Sequence, residues 1–171
     1  MAHTSNAAPS RLQIVLRAGV GAFAGIGLVG ALHQYWLQPM TLSLLIGSFG
    51  ASAVLLYGVP DSPLAQPRNV LGGHLISGVV GVIVQQAIGG PLWLVAALAV
   101  SVAIMAMILT RTTHPPGGAT ALIAVMGSPD IEALGFLYPI VPAFTGALCL
   151  LAVALISNNF RSAKRYPTAW W

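Results

Sequence analysis

The segment Leu92–Leu109 carries no charged residue over a length that suits one membrane crossing. A helix needs roughly 20 apolar residues to cross a hydrocarbon core of about 30 Å. Further apolar runs occupy residues 14–37, 40–58, 70–89 and 136–156. Charged residues make up 6% of the chain, against about a quarter in soluble domains. The sequence therefore predicts an all-α protein whose main partner is the lipid bilayer.

One apolar region is interrupted by residues that end helices. It reads Thr113-His114-Pro115-Pro116-Gly117-Gly118-Ala119-Thr120. The prolines remove two backbone donors, and the glycines leave the following amides uncovered by side chains. Such a start to an apolar helix favours contact with a small anion. The alternative is an ordinary helix N-terminus, with proline at its first positions, packed between neighbouring helices.

A second break resembles the first and suggests an internal duplication. Residues 50–55, Gly-Ala-Ser-Ala-Val-Leu, resemble residues 118–123, Gly-Ala-Thr-Ala-Leu-Ile, and each leads to a Pro-Asp pair at nearly the same distance. We expect about six transmembrane segments as two inverted three-segment repeats, about 14–89 and 91–157, with broken half-helices. The alternative is five spans with one re-entrant half-helix.

Charge placement predicts the orientation of the chain. With six crossings and a cytoplasmic N-terminus, all seven Lys and Arg fall on or near the inside, and the outer loops hold none. We therefore expect a cytoplasmic segment 1–13, a single transmembrane domain 14–157 and a cytoplasmic tail 158–171, in the bacterial inner (plasma) membrane. The short, glycine-rich chain favours a homo-oligomer.

The two half-helix N-termini are predicted to meet near mid-membrane and to bind a small inorganic anion there. Their amides would be joined by side chains, of which His114 is the most prominent titratable group. The hydroxyls have an alternative role, since each is able to bond back to its own helix. His114 has one too, as a structural hydrogen bond that anchors its loop. The predicted substrate-binding residues are Gly50, Ala51, Ser52, Arg68, His74, Arg111, His114, Pro115, Pro116, Gly117, Gly118, Ala119 and Thr120.

Several other classes of function lack a sequence signal. No Asp, Glu or Lys lies within a predicted span, which disfavours a cation site built on carboxylates. There is no metal-ligand spacing, nucleophile elbow or phosphate-binding loop, so we expect no enzyme, metal or cofactor. The small positive excess is an orientation signal, and nucleic acid is not an expected partner.

The motif His114-Pro115-Pro116-Gly117-Gly118-Ala119-Thr120-Ala121 resembles the HPP family of small integral membrane proteins, and the earlier block of residues 50–74 resembles the same family's pattern. The family is usually described with four transmembrane segments, and some members are associated with nitrite transport. The resemblance thus implies a transporter or channel-like facilitator for a small anion, with nitrite as the leading candidate. The alternatives are a non-transporting assembly or regulatory protein, and a channel for a small neutral solute.

Overall fold

The computed structural model describes residues 10–38, 44–160 and 164–170, and all regular secondary structure within them is helical. This confirms the predicted all-α class. The α-helices are α1 Arg11–Leu32, α2 Ser48–Ala53, α3 Pro67–Ala87, α4 Leu92–Leu109, α5 Pro115–Met126, α6 Pro129–Leu134 and α7 Thr145–Asn159. Helix α1 continues as a π-helical turn, His33–Leu37, and α2 continues as the π-helical turn Val54–Gly58, while the π-helical segment Pro139–Phe144 leads into α7.

Four helical stretches in the described residues are long and apolar enough to cross a membrane, namely Arg11–Leu37, Pro67–Ala87, Leu92–Leu109 and Pro139–Asn159. A fifth arises if α5 and the following segment Pro129–Leu137, which are bent by 95° relative to each other, count as one span. The apolar stretch Ser48–Gly58 is shorter. The protein is thus a helical membrane protein with four or five candidate spans, and the six-span inverted repeat stays a prediction.

The stretch 44–58 runs antiparallel to α1. At its start, the Leu44 amide donates to His33 Nδ1 at 3.2 Å, near the end of the first span. Towards its end, the Tyr57 ring occupies the space in which Gly25, half-way along α1, would carry a side chain. The glycine stripe of the first span thus lets a tyrosine pack directly on the helix backbone.

The same stretch runs parallel to α7. The Phe49 ring fills the space beside Gly146 near the start of α7, and Asn158 near its end donates to the Leu56 carbonyl at 2.8 Å. Because α1 is antiparallel to this stretch and α7 is parallel to it, the beginning of α1 and the end of α7 lie at the same end of the molecule. This arrangement is expected when a chain crosses the membrane an even number of times.

Helices α3 and α5 pack closely side by side. A Cβ atom on Gly117 would lie 3.0 Å from the Gly73 carbonyl oxygen, and one on Gly81 would lie 2.8 Å from the Ala121 carbonyl oxygen. Any larger residue at Gly81 or Gly117 would therefore push the two backbones apart. This close approach brings the polar side chains of α3 to the first turns of α5.

The described part of the tail, residues 164–170, covers the proline-rich loop before α3. The Tyr166 hydroxyl donates to the Ala65 carbonyl at 2.7 Å, and the Thr168 amide donates to Gln66 Oε1 at 2.9 Å. Burial, together with a smaller contribution from Tyr57, raises the pKa of Tyr166, so its hydroxyl stays protonated as a donor. The tail thereby holds the loop of Pro63–Ala65 in place against the helices.

Candidate functional site

His74 lies at the centre of a cluster of buried polar side chains. Its Nε2 atom is 2.8 Å from Ser52 Oγ, and its Nδ1 atom is 2.7 Å from Thr120 Oγ1. All three side chains are inaccessible to solvent. Ser52 and Thr120 hold equivalent places in the two similar sequence blocks, so the two copies supply one hydroxyl each to opposite sides of one imidazole.

His114 joins the cluster through the same serine. Its Nε2 atom is 3.0 Å from Ser52 Oγ, and its Nδ1 atom is 2.8 Å from the Leu64 carbonyl oxygen. A carbonyl oxygen only accepts, so the hydrogen of a neutral His114 ring must reside on Nδ1. The Nε2 atom is then an acceptor, and the Ser52 hydroxyl is its donor.

Ring contacts and a third hydroxyl complete what we call the imidazole cluster: Ser48, Ser52, His74, His114 and Thr120. The two imidazole centroids are 5.1 Å apart in an edge-on arrangement, and Ser48 Oγ lies 3.0 Å from Thr120 Oγ1. Each of these side chains is at most 1% exposed. Burying so many polar groups is costly unless they satisfy one another, and here they do so through their own hydrogen bonds.

The local sequence explains how His114 reaches this position. The residue before a proline avoids the helical region, and His114 has extended backbone angles as the N-cap of α5, with φ −138° and ψ 107°. Two prolines then start the helix without needing donors. The Gly117 amide donates to the His114 carbonyl at 2.8 Å, which closes the first turn.

The first turns of the two short helices meet and overlap side by side. Ser48 at the start of α2 touches Thr120, whereas Ser52, one turn later, touches His114 at the start of α5. The two segments therefore run antiparallel. The amides of Gly117 and Gly50 are not free, because each donates within its own turn, Gly50 to the Gly47 carbonyl at 3.2 Å. Side chains, rather than helix N-termini, face each other here.

The cluster lies between the start of α3 and its middle. His74 follows the first residue of α3, Pro67, by about two turns, or about 10 Å at 1.5 Å per residue. The same end of α3 carries the proline-rich loop whose Leu64 carbonyl holds His114. The cluster is thus displaced from the middle of α3 towards the end that carries the start of α1 and the end of α7, and its position near mid-membrane stays a prediction.

The two predicted arginines lie outside the imidazole cluster. Arg68 donates to the Thr110 carbonyl at 2.8 Å and lines a cavity of about 450 Å³ with Thr112. Arg111 is exposed and has a left-handed backbone with φ 57°. Thr112 is two residues from His114, so both arginines lie at the end of the molecule that is nearer to the cluster.

The other predicted residues divide by burial. Pro116 and Gly117 are buried beside the cluster, and Gly118 and Ala119 are partly buried, whereas Gly50, Ala51 and Pro115 are exposed and lie away from it. Sequence reasoning missed Ser48 and the Leu64 carbonyl. Ser48 had a signal, because it precedes Ser52 by four residues and so shares its helix face. A backbone carbonyl leaves no such signal.

The described residues contain no group of three His, Cys, Asp or Glu side chains arranged to hold a metal ion. The imidazole nitrogens are turned towards hydroxyls and a carbonyl instead. The chemistry that the cluster offers is therefore hydrogen bonding and proton exchange.

Comparison with known proteins identifies the family. The family model described as "HPP, transmembrane region" matches residues 7–167. The chain belongs to this HPP transmembrane family. Two relatives from Dictyostelium discoideum, both named as transmembrane proteins, are 45% and 46% identical over 155 residues, which is 89% of this chain. The HPP chain spans about half the length of these relatives, 54% and 50% respectively. No solved structure matches it.

Proposed function

We propose that this HPP protein is a transporter or channel-like facilitator for a small inorganic anion, with nitrite as the first substrate to test. The observation that carries the proposal is the imidazole cluster, in which two histidines and three hydroxyls converge from α2, α3 and α5. Polar groups this deep in an apolar helical protein are expensive and typically mark a pathway.

The character of the groups favours an anion over a cation. Hydroxyls and protonated imidazoles donate hydrogen bonds, and the chain's three carboxylates, Asp61, Asp130 and Glu132, all lie in loops or in the short helix α6. Arg68 and Arg111 add positive charge at the end of the molecule nearest the cluster. A small monovalent anion fits both features, and we propose that this end faces the cytoplasm.

One observation favours a second candidate, a non-transporting membrane protein. All four imidazole nitrogens of His74 and His114 already have partners within the protein. A cluster of this kind also serves to fix how helices pack in lipid. Under this reading the histidines stabilise an assembly or regulatory subunit.

Uptake by reconstituted vesicles tests the proposal. Purified protein in liposomes is given nitrite, nitrate, formate or chloride, and entry is compared with that into protein-free vesicles. We expect nitrite entry well above the leak, and its loss in His74→Asn and His114→Asn. His33→Asn is the matched control, since His33 lies outside the cluster and accepts a hydrogen bond from the Leu44 amide. Absence of uptake for all four anions by the folded wild-type protein would refute transport and leave the second candidate.

A further inference from the structure

The imidazole cluster contains an unbroken row of hydrogen-bonded groups. In order they are the Leu64 carbonyl, His114, Ser52, His74 and Thr120, joined by distances of 2.8, 3.0, 2.8 and 2.7 Å. Every junction is short enough for a hydrogen bond. We call this row the relay. Its two imidazoles and two hydroxyls are all groups that both give and accept a hydrogen.

In the neutral relay every hydrogen bond points the same way, from Thr120 towards the Leu64 carbonyl. His114 Nδ1–H must donate to the Leu64 carbonyl, so His114 Nε2 accepts from the Ser52 hydroxyl. Ser52 Oγ then accepts from His74 Nε2–H, and His74 Nδ1 accepts from the Thr120 hydroxyl. Each junction holds one hydrogen, and no ring nitrogen is left without a partner. The carbonyl at one end therefore fixes the tautomers of both histidines.

One added proton reverses the three junctions between side chains, while His114 Nδ1–H continues to donate to the Leu64 carbonyl. When a proton reaches Thr120 Oγ1, the Thr120 hydrogen moves to His74 Nδ1, the His74 Nε2 hydrogen moves to Ser52, and the Ser52 hydrogen moves to His114 Nε2. The positive charge then rests on His114. Thr120 keeps one hydrogen, which is free to point to Ser48 Oγ at 3.0 Å or to the Pro116 carbonyl at 3.2 Å. One proton is gained, and no other atom changes partner.

Nothing charged faces this row within the described residues. α2 contributes Phe49, whose ring meets His74 edge-on, and the Tyr138 hydroxyl donates to the Thr120 carbonyl. The nearby charged groups, Arg68 and Arg111, are positive and lie outside the cluster, at the end of the molecule nearer to it. A protonated His114 would thus be a buried cation with no carboxylate to balance it, which is unfavourable. A small monovalent anion would supply the missing charge.

We propose that the relay takes up one proton with each anion, so that the two cross together and the net charge moved is zero. This rests on the proposed function and adds the proton as co-substrate. Ser52 is the essential junction, because its hydroxyl is hydrogen-bonded to both histidines. Its hydroxyl makes two neighbouring imidazoles into a single proton-binding unit.

The test measures nitrite and proton entry together, in vesicles that contain a pH-sensitive dye and have the membrane potential set by potassium and valinomycin. We expect the lumen to gain one proton per nitrite above the leak of protein-free vesicles, at a rate that does not depend on the potential. Nitrite entry that follows the potential without proton entry overturns the relay and leaves the proposed function standing. Absence of nitrite, nitrate, formate and chloride entry in the wild-type protein defeats the proposed function itself.

Two serine variants give a second, independent readout. Ser52→Ala removes the junction, and we expect proton entry to fall about tenfold or more, as for the loss of a hydrogen bond to a charged group. Ser52→Thr, which keeps a hydroxyl, should restore part of it. Ser77→Ala is the matched control, because Ser77 is an equally buried serine on α3 with no hydrogen-bond partner in the described structure. Equal proton entry in Ser52→Ala and Ser77→Ala, both folded, would contradict the relay.

Discussion

The two short helices α2 and α5 come from similar sequence blocks, yet they contribute differently to the site. Ser52 and Thr120 hold the same place and bind opposite nitrogens of His74. Six residues before each hydroxyl, however, the second block has His114 and the first has Ile46. The shared hydroxyl accounts for the symmetric half of the cluster. A single position, different in the two blocks, adds the second imidazole and gives the relay its direction.

We expect the largest effect from replacing His74, whose ring is hydrogen-bonded to side chains of both α2 and α5. His74→Leu removes the buried hydrogen bonds that His74 makes to Ser52 and to Thr120. We expect a loss of roughly 3–5 kcal/mol in the free energy of unfolding, since the loss of two buried hydrogen bonds adds to the cost of repacking the site. Thermal unfolding in detergent measures it. His33→Leu is the control, and an equal loss there would show that His74 does not join the two helices.

The next prediction compares the two hydroxyls directly. Ser52→Ala deprives both imidazoles of a partner, whereas Thr120→Val deprives one imidazole, His74, together with Ser48 and the Pro116 carbonyl. We expect losses of stability of about 2–3 and about 1–2 kcal/mol respectively. Denaturant unfolding of the two variants in the same detergent checks the order. If Thr120→Val costs more, the first helix does not carry the central junction.

A third prediction compares how tightly the glycines of α2 and α5 are packed. Gly50 and Gly118 hold equivalent places, and an added Cβ meets nothing within 4 Å at Gly50 and only Val100 at 3.9 Å at Gly118. At Gly117 it would lie 2.8 Å from Met107 Sδ and 3.0 Å from the Gly73 carbonyl. We expect Gly117→Ala to cost about 1–2 kcal/mol, and Gly50→Ala and Gly118→Ala to cost nothing or to stabilise slightly. Similar unfolding temperatures for all three would contradict the close approach of α3 and α5.

The smallest effect concerns the turn that leads into α5. Arg111 occupies the left-handed position after α4, where the Thr112 amide donates to the Met107 carbonyl at 2.8 Å, a helix end that normally uses glycine. We expect Arg111→Gly to raise stability by about 0.5–1 kcal/mol while lowering anion entry. Arg111→Ala removes the same charge and keeps the strained backbone. If Arg111→Gly leaves anion entry unchanged, the arginine does not attract the substrate.

From the sequence alone we could predict the membrane class, the positions of the two breaks and the equivalence of Ser52 with Thr120. These follow from length, apolarity, proline and glycine, which act within a few residues of where they stand. The same local rules predicted that His114 lies just before a helix, and the motif that begins at His114 indicated the chain's family.

Which of these residues contact one another is visible only in the tertiary structure. Ser52 and His114 are 62 positions apart, and their contact depends on glycines that let α3 and α5 approach closely. The first turns of α2 and α5 overlap side by side, and the Gly50 and Gly117 amides donate within their own turns, so side chains face each other there instead of free amides. Likewise, the Leu64 carbonyl fixes the tautomer of His114 from a loop held by Tyr166 against Ala65. Such contacts arise from helix packing across the whole chain, which no local pattern encodes.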